Sequence, residues 1–493
     1  TGNDDWPIAQ KNPQRTGYFA FDAPDTNETL WTFDVSISGR TFEFCSPVVV
    51  DGRVFIGTFG PTLVTGEGNV FYCLNETNGE IIWTFGLGSS VVGAPAVDNG
   101  KVYFANFLWD SYLNIYALNE TNGKLIWKKK VGDASYYIFP DIIVKDNRLY
   151  FTNTTHLIVL NQTDGSVIWA KRVRAYYGCN GGPAIDYGIV FVQAGYKYTY
   201  AFNETTGDMI WNFTHECFEN VHPVVHDGKV YIGTYFDKKV YALNASTGDM
   251  VWNATLGDRI LSSPAVGYGK VFIHAGELSE PKVYAINETS GKIIWVYNTG
   301  YRSTSAPVIA DGKVFIGTKG CLFALNESNG ELVWYYKRGV WVSRLAIANG
   351  KLFMASTDGR LYCFGTKTTK IEEVTPCDSY GNPKNKFTKG SLAYFRISLN
   401  YPQGPKTESI LLTINVYDSN NTTIGIASYQ GLITQGTSVF ILALPIPKSA
   451  HLGNATAYVN AYTDWPHNGG VPVSYTHLRA HETEADLVCR LLL

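Results

Sequence analysis

Arginine and aromatic side chains recur in the segments that follow each tryptophan-bearing stretch of this sequence, and they are its best candidates for binding chemistry. A guanidinium group donates paired hydrogen bonds to a carboxylate or phosphate, and aromatic rings stack on sugars and planar groups. These residue types therefore predict an anionic or sugar-like partner, unless they only fill or cover the end of a channel. The candidate ligand-binding residues are Arg40, Tyr136, Tyr137, Arg174, Tyr177, Arg259, Arg302, Trp341 and Arg344, with Arg172, Tyr176 and Tyr301 in the same segments.

Histidine and carboxylate side chains give weaker signals of chemistry. His215, His222 and His226 lie close together in sequence. Along an extended strand, however, His222 and His226 are about 13 Å apart, at about 3.3 Å per residue, which is too far to share one metal ion. The sequence does not place a Ser/His/Asp set or paired carboxylates in one pocket. We therefore predict no metal site, no catalytic residue and no cofactor.

The cysteines predict one disulfide and several buried thiols. Cys179 and Cys217 each precede the innermost strand of adjacent repeats, so a disulfide between them is predicted in an oxidising compartment. Cys321 and Cys377 form a weaker candidate pair. Cys73 and Cys363 occupy the position that Ala324 holds in another repeat, which predicts small core residues.

A repeat of about 42 residues must position all of these groups. Each copy has an apolar run, a two-residue turn such as Asp311-Gly312, two alternating strands around an Asn-x-Thr/Ser-x-Gly turn, and a strand with tryptophan. The two-residue turn requires positive φ at both central positions. Four short strands per unit at this period predict the blades of a β-propeller. The tryptophans are predicted to dock on neighbouring blades.

The ends of the repeat array predict a closed ring. The eighth copy, 341–365, lacks its tryptophan strand, and an unassigned strand at 30–33 precedes the first copy. Pairing of the two removes an open sheet edge. We predict an all-β chain with an eight-bladed propeller over residues 1–370, in which strand 30–33 completes the last blade. An open β-solenoid is the alternative.

Three motifs resemble those of the quinoprotein-like (PQQ-like) propellers over about residues 5–370. They are the opening WPxxxxNPxRTGY, the strand DGKVYIGT and the turn AxNxxTGxxxW. The resemblance implies a propeller whose relatives range from bacterial outer-membrane assembly scaffolds to quinoprotein alcohol dehydrogenases. Such enzymes bind pyrroloquinoline quinone with Ca²⁺, an aromatic platform and often a vicinal disulfide. This chain has no adjacent cysteine pair and nearly uniform repeats, so we predict a non-enzymatic protein, with a PQQ-dependent dehydrogenase as an alternative.

Composition and sequons indicate an exported protein. A net charge of −3 argues against general nucleic-acid affinity. The sequence contains no run of 18 apolar residues, so we predict no membrane span. Asn-x-Thr/Ser sequons are dense, and those outside the repeated turn have no structural reason to recur, so N-glycosylation is predicted. The candidate asparagines are Asn27, Asn75, Asn119, Asn153, Asn161, Asn203, Asn212, Asn244, Asn253, Asn287, Asn326, Asn420, Asn421 and Asn454.

The repeat ends before the C-terminal quarter of the chain. Residues 371–385 are predicted to be a linker, and 386–473 an immunoglobulin-like β-sandwich with five strand-like runs, which is too few for closure. This domain is similar to small sandwiches of archaeal exported proteins. Residues 474–493 resemble a translated sequencing adaptor, with an amphipathic helix as the alternative. If they are an adaptor, truncation of the sandwich domain would also explain why it has too few strands for closure.

Together these features predict an archaeal, extracellular or cell-surface glycoprotein that acts as a scaffold or assembly subunit. Its predicted partners are other copies of itself or cell-surface proteins, and glycans are a further option. An incomplete sandwich could accept a strand from a neighbouring copy and so form filaments. The alternative is a carbohydrate- or anion-binding protein that uses the propeller mouth, where the loops from each outer strand to the next inner strand converge.

Overall fold

The computed structural model describes the chain in ranges. These are 5–43, 45–60, 69–108, 112–132, 140–153, 155–173, 182–194, 197–216, 221–277, 280–365, 370–401, 407–418, 420, 422–434, 436–451, 454–462, 472–476 and 489–492. The chain divides into two compact units, Thr1–Thr366 and Lys367–Leu493. One short 3₁₀ helix, Ser36–Ser38, interrupts the strands of the first unit. The described residues contain no helix with the length and apolar character needed to span a membrane.

The first unit begins with two strands that belong to later sheets, β1 (Tyr18–Phe19) and β2 (Thr29–Asp34). Six four-stranded sheets follow, each antiparallel and in chain order from the inner to the outer strand. We call them blades 1 to 6. Their strands are β3 (Val48–Val50), β4 (Arg53–Gly57), β5 (Val70–Asn75) and β6 (Ile81–Gly86); β7 (Ser90–Asp98), β8 (Lys101–Leu108), β9 (Tyr112–Asn119) and β10 (Leu125–Gly132); β11 (Ile143–Lys145), β12 (Arg148–Thr152), β13 (His156–Asn161) and β14 (Val167–Arg172); β15 (Ala184–Asp186), β16 (Ile189–Ala194), β17 (Tyr198–Asn203) and β18 (Met209–Thr214); β19 (Val224–His226), β20 (Lys229–Gly233), β21 (Lys239–Asn244) and β22 (Met250–Thr255); and β23 (Ala265–Gly267), β24 (Lys270–Ala275), β25 (Lys282–Asn287) and β26 (Ile293–Asn298).

The last sheet of this unit joins two further sets of strands through one long strand. Blade 7 consists of β27 (Val308–Ala310), β28 (Lys313–Gly317), β29 (Lys319–Asn326) and the first part of β30 (Leu332–Ala348). The second part of β30 begins the closing blade, which continues through β31 (Lys351–Ser356) and β32 (Arg360–Phe364). The N-terminal β2 pairs antiparallel with β32, with Trp31 opposite Cys363 and Asp34 opposite Arg360. The N-terminal strand β2 therefore completes the sheet of the last repeat.

The two-residue turns have the backbone that the sequence predicts. In the first copy, Asp51 has a φ of 48° and Gly52 a φ of 71°. In the fourth copy, Tyr187 stands at the first position with a φ of 53°. The left-handed region is costly for a large L-residue. The hydroxyl oxygen of Tyr187 accepts a hydrogen bond from the backbone N–H of Gly228 in the next blade, 3.0 Å away.

Each outer-strand tryptophan of blades 1 to 6 docks on the Asn-x-Thr/Ser-x-Gly turn of the next blade. The indole Nε1–H donates to a backbone carbonyl in that turn at 2.9 to 3.3 Å. Trp31 of β2 makes the same contact with Glu76 of blade 1. The closing blade has no such turn, and Trp334 of blade 7 instead donates to Pro24 of the N-terminal segment at 3.1 Å. All eight rings are therefore structural.

The glycine of each docking turn is required for two reasons, and a matched pair of variants separates them. Gly291 has a φ of 70°, and a Cβ there would lie 2.8 Å from the Trp252 ring. Gly269 has a φ of 67° but open space around it. We expect Gly269→Ala to cost about 1–2 kcal/mol for the backbone alone. Gly291→Ala should cost a further 1–3 kcal/mol, roughly, for overpacking against the docked ring. Equal shifts of the thermal unfolding midpoint in the two variants would contradict this explanation.

The N-terminal segment 6–19 runs around the inner strands and connects the blades. Its backbone carbonyls accept N–H groups from the inner strands of blades 1, 2, 4, 5, 6 and 7, through Val49, Val97, Ile185, Val225, Val266 and Ile309. Each donor lies two residues before its two-residue turn, so the segment lies at the turn end of the inner strands. β1 then pairs parallel with β27. The WPxxxxNPxRTGY motif therefore lies across the end of the ring opposite the mouth.

The second unit contains two antiparallel sheets around one hydrophobic core. One sheet has the order β33 (Lys370–Cys377), β34 (Leu392–Tyr401), β37 (Gly436–Pro445). The other has the order β36 (Thr423–Thr434), β35 (Thr407–Tyr417), β38 (Asn454–Tyr462), β39 (Pro472–Thr476), and β40 (Cys489–Leu492) also pairs with β38. Buried side chains from both sheets form one cluster, which includes Phe395, Leu412 and Val459. The immunoglobulin-like classification stays a prediction.

One prediction for this region is wrong, and another stays a prediction. Residues 371–385 are not a linker throughout, because 370–377 form β33; a bulge between Ile371 and Glu373 lets Ile371 and Val374 both reach the core despite the intervening glutamates. The chain's own β39 and β40 pair with β38. Acceptance of a strand from a neighbouring copy stays a prediction, because β36 and β37 are also terminal strands of their sheets. Residues 477–488 of the predicted non-native tail lie outside the described residues.

Candidate functional site: the propeller mouth and axis

Five of the predicted mouth residues lie among the described residues, and they do not form one surface. Arg302 and Trp341 line one pocket, and Arg259 pairs with Glu277 of its lining. Arg344 points to the propeller axis, and Arg40 lies beside Gly60 and Gly359. Tyr136, Tyr137, Arg174 and Tyr177 are outside the described residues. The predicted Cys179–Cys217 disulfide also falls outside them. The assignment of the predicted mouth residues to a ligand stays a prediction.

We call the cavity at blades 6 and 7 and the closing blade the mouth pocket. It has a volume of about 220 Å³ and is lined by Leu261, Glu277, Arg302, Ser303, Thr304, Thr318, Lys319, Trp341 and Val342. These residues come from the loops before β23 and β27, from the turn after β24, from the connection between β28 and β29 and from the middle of β30. The repeat places such loops at one end of every blade, which is why residues 80 positions apart in sequence meet here.

Two cations, Arg302 and Lys319, and one carboxylate, Glu277, line the mouth pocket, and Arg259 pairs with Glu277 from outside the lining. Glu277 is 3.1 Å from Arg259 and 3.8 Å from Arg302, and Tyr235 donates a hydrogen bond to it. The Arg259 guanidinium lies 4.7 Å from the centre of the Tyr235 ring. Lys319 places its ammonium group 5.3 Å from the centre of the Trp341 ring. Among these described groups the excess charge is positive, which favours an anionic ligand.

Arg344 belongs to a buried ionic cluster that we call the axial hub: Arg15, Asp141, His222 and Arg344. Asp141 Oδ2 is 2.5 Å from Arg15 Nη2, 3.4 Å from Arg344 Nη1 and 3.5 Å from His222 Nε2. Its other oxygen, Oδ1, accepts the N–H of Ala94 at 2.8 Å. The partners come from the N-terminal segment, blades 2, 3 and 5 and the closing blade. Elements spaced around a ring meet only near its centre, so the hub lies on the axis.

The hub fixes the charge states of its members. Burial by itself raises the pKa of Asp141, but the guanidinium groups of Arg344 and Arg15 outweigh burial and hold that pKa well below its usual range. Burial lowers the pKa of His222 well below 6.5, and Arg15 adds to this effect. At neutral pH the hub therefore contains two guanidinium cations, one carboxylate and a neutral imidazole.

Sequence reasoning missed the hub because its members are far apart in the chain. Arg15 and Asp141 are separated by 126 positions. Asp141 follows Pro140 just before an inner strand, where no local pattern assigns it a partner. The one available signal was Arg15 itself, a cation inside the WPxxxxNPxRTGY motif.

The three histidines of the 215–226 region lie in separate environments. His215 bonds Thr199 Oγ1 at 2.9 Å, His222 belongs to the axial hub, and His226 Nδ1 lies 2.6 Å from Glu288 Oε1 of the next blade. Among the described residues, no cluster of three or more metal-ligating side chains forms.

The described cysteines correct one prediction and match another. Cys321 and Cys377 are both free thiols, so the weaker disulfide pairing is wrong. Cys73 and Cys363 are fully buried core residues, as predicted. Burial raises the pKa of the Cys73 thiol to about 12, which makes it unreactive at neutral pH.

The axial hub does not fit the Ca²⁺ that the resemblance to quinoprotein enzymes implies. Such a site needs carboxylate and amide oxygens that face the cation. The hub's carboxylate faces two guanidinium groups through Oδ2 and a backbone N–H through Oδ1. A cation placed there would meet both arginines at short range. These described residues therefore do not form the metal site of a PQQ enzyme.

Most described sequon asparagines are accessible, but one is not. Asn27, Asn212, Asn244 and Asn253 are exposed. Asn75, Asn119, Asn161, Asn203, Asn287 and Asn326 are partly exposed in the repeated turn, where each Oδ1 accepts a backbone N–H two residues on. Asn153 is buried, and its Nδ2 donates to the carbonyl of Val131 at 2.9 Å. The prediction of glycosylation at Asn153 conflicts with this burial, because Nδ2 is the atom that a glycan would occupy.

Comparisons with known proteins agree on the propeller. A family model described as outer membrane protein assembly factor BamB matches residues 19–134, 111–218 and 198–394. BamB from Moraxella catarrhalis superposes with a TM-score of 0.53 and 16% identity, over 69% of this chain and 97% of that one. No curated protein sequence matches the chain significantly.

Two quinoprotein-type structures are similarly close. Quinohemoprotein alcohol dehydrogenase from Comamonas testosteroni has a TM-score of 0.59 and 13% identity, over 75% of this chain and 82% of that one. A europium-containing methanol dehydrogenase has a TM-score of 0.58 and 13% identity, over 74% of this chain and 99% of that one. At these sequence identities the similarity concerns the fold alone. The similar structures include both an assembly factor and dehydrogenases. Because the family model matches residues 19–394, this chain belongs to the PQQ-like repeat family of outer membrane protein assembly factor BamB.

Proposed function

We propose that this chain is an exported, N-glycosylated and non-enzymatic propeller that acts as a cell-surface scaffold or as a subunit of an extracellular assembly. One observation carries the non-enzymatic part. The described core of the ring contains the protein's own ion pair, Arg15–Asp141, instead of a carboxylate-lined cation site. Family membership supports the scaffold role, since BamB is named for assembly. The partners we propose are other copies of the chain or cell-surface proteins.

The enzymatic alternative has a direct test. We expect no dye-linked oxidation of alcohols by the full chain after incubation with pyrroloquinoline quinone and Ca²⁺ or a lanthanide ion. The physical reason is that two fixed guanidinium cations at Asp141 oppose binding of a metal ion there. Quinone- and metal-dependent turnover, absent in Asp141→Ala, would contradict the proposal.

Glycosylation and export are tested by mapping occupied sequons. In a secretory host that glycosylates Asn-x-Ser/Thr, we expect glycopeptides at the exposed Asn27, Asn212 and Asn253. We expect none at Asn153, because its side chain is buried and bonded to Val131. Mass spectrometry of tryptic peptides measures both. An unoccupied set of exposed sequons would contradict the glycoprotein assignment.

The mouth pocket favours a second candidate function, the binding of an acidic sugar. About 220 Å³ is room for one small ring, and Arg302 and Lys319 supply cations where Glu277 supplies an acceptor for hydroxyl groups. We expect glucuronate to bind in calorimetry and glucose to bind at least tenfold more weakly. Arg302→Met should remove the preference for the acid. Equal binding of the two sugars, or binding of neither, would contradict this function.

A further inference from the structure

Among the described residues, the axial hub has one positive charge more than its carboxylate balances, in a largely buried place. Arg15 and Asp141 are fully buried, and the Arg344 side chain is 20% exposed. Arginine stays protonated in proteins and Asp141 is already ionised, so no titration near neutral pH removes the excess. Burying an unbalanced unit charge costs several kcal/mol, on the order of the stability of a whole domain.

Two donors of the hub have no hydrogen-bond partner among the described residues: Arg15 Nη1 and His222 Nε2. The Gly182 N–H donates to His222 Nδ1 at 2.6 Å, so Nδ1 is the acceptor. The neutral ring therefore has its proton on Nε2, which is a second unused donor. Both atoms are fully buried, and unsatisfied buried donors are rare in native proteins.

The other charged groups that the structure describes near the hub do not balance it. Glu43 and Arg344 both lie near the buried thiol of Cys45. Among the described residues, however, the ion pair of Arg344 is with Asp141 and not with Glu43, and burial raises the pKa of Glu43. The remaining described neighbours, Gln10 and Ser263, are neutral: Gln10 accepts from Arg15 Nε at 3.1 Å, and Ser263 accepts from the His222 N–H at 2.8 Å.

We infer that the axial hub binds one small monovalent anion, a halide or a short carboxylate, on the mouth side where Arg344 reaches solvent. The anion would accept hydrogen bonds from the guanidinium groups and from His222 Nε2, and it would cancel the excess charge. This site is separate from the mouth pocket and does not depend on the proposed scaffold function.

The test is the anion dependence of thermal stability in the full chain. At fixed ionic strength and pH 7, methanesulfonate is replaced stepwise by chloride, bromide, formate or acetate. Binding to the folded state alone should give a saturable rise in Tm, of about 2 °C. The halide and carboxylate series show which anion class the site prefers. A Tm that does not depend on the anion would overturn the inference.

Two variants and one diffraction experiment make the test specific. Arg344→Met leaves the Arg15–Asp141 pair balanced, so the anion response should disappear. Arg360→Met removes an arginine that pairs with Asp34 on an outer strand, and the response should persist. An equal response in both variants would overturn the inference. If Arg344→Met does not fold, bromide-soaked crystals of the unaltered chain decide: an anomalous peak beside Arg344 supports the site, and its absence contradicts it.

Discussion

Replacing Asp141 with Asn is expected to lower the free energy of unfolding of the propeller by about 3–5 kcal/mol, the typical cost of removing one partner from a buried ion pair. Arg15 would stay buried without its carboxylate, and Arg344 would lose its closest acid. Because Arg15 belongs to the N-terminal segment, the loss should also loosen that segment from the blades. Thermal and denaturant unfolding followed by tryptophan fluorescence measure the change.

Asp208→Asn is the matched control for this prediction. Asp208 pairs with Lys171 at 3.1 Å, but its side chain is 74% exposed. Solvent-exposed ion pairs contribute little to stability, so the control should unfold nearly as the unaltered chain does. An Asp141→Asn variant within 1 kcal/mol of the control, roughly, would show that the hub is not what holds the segment.

The pH dependence of the Asp141 effect has a definite sign. The pKa of Asp141 is lowered in the folded chain, so its stabilising effect is complete above its unfolded pKa of about 3.9. It is lost only as pH falls through the lower folded pKa. The difference in stability between the unaltered chain and Asp141→Asn should therefore be constant from pH 5 to 8. It should shrink only in strong acid.

Replacing Trp252 with Ala is the second change with a large expected effect, about 3–5 kcal/mol of propeller stability. The ring is 8% exposed, covers Gly291 and donates to the Glu288 carbonyl at 2.9 Å. Its removal opens a cavity between blades 5 and 6 and leaves a carbonyl without its partner. Trp252→Phe keeps most of the apolar contact and should cost about 1–2 kcal/mol. Comparable losses in the two variants would contradict docking by the whole indole.

Much of the propeller was predictable because its signals are local and repeated. Asp-Gly and Asn-Gly turns, alternating strands and one tryptophan per unit each follow from the chemistry of a few neighbouring residues. The docking of Trp252 on the next turn follows from the same period, since blades 1 to 6 each pack the same ring against the glycine of the following turn.

The N-terminal segment and the axial hub were not predictable from such signals. The segment bonds the blades through backbone carbonyls, which leave no side-chain pattern. Arg344 shows a related limit: its place in a mouth loop predicted a rim residue, yet its guanidinium reaches Asp141 on the axis. In the second unit, Glu372 and Glu373 concealed strand β33, because a bulge rather than strict alternation directs Ile371 and Val374 inward.

Closure of the ring by β2 is the central claim, and an engineered disulfide tests it most directly. Asp34 and Arg360 lie opposite each other in the antiparallel β2–β32 pair. Opposed residues in such pairs have Cα atoms about 4.5–5.5 Å apart, within the range that a disulfide spans. In the variant Asp34→Cys/Arg360→Cys, mild oxidation should give an intramolecular 34–360 crosslink, detected as a joined peptide by mass spectrometry. The pair Asp34→Cys/Asp208→Cys should give none. An unlinked first pair, or links only between molecules, would contradict a closed propeller.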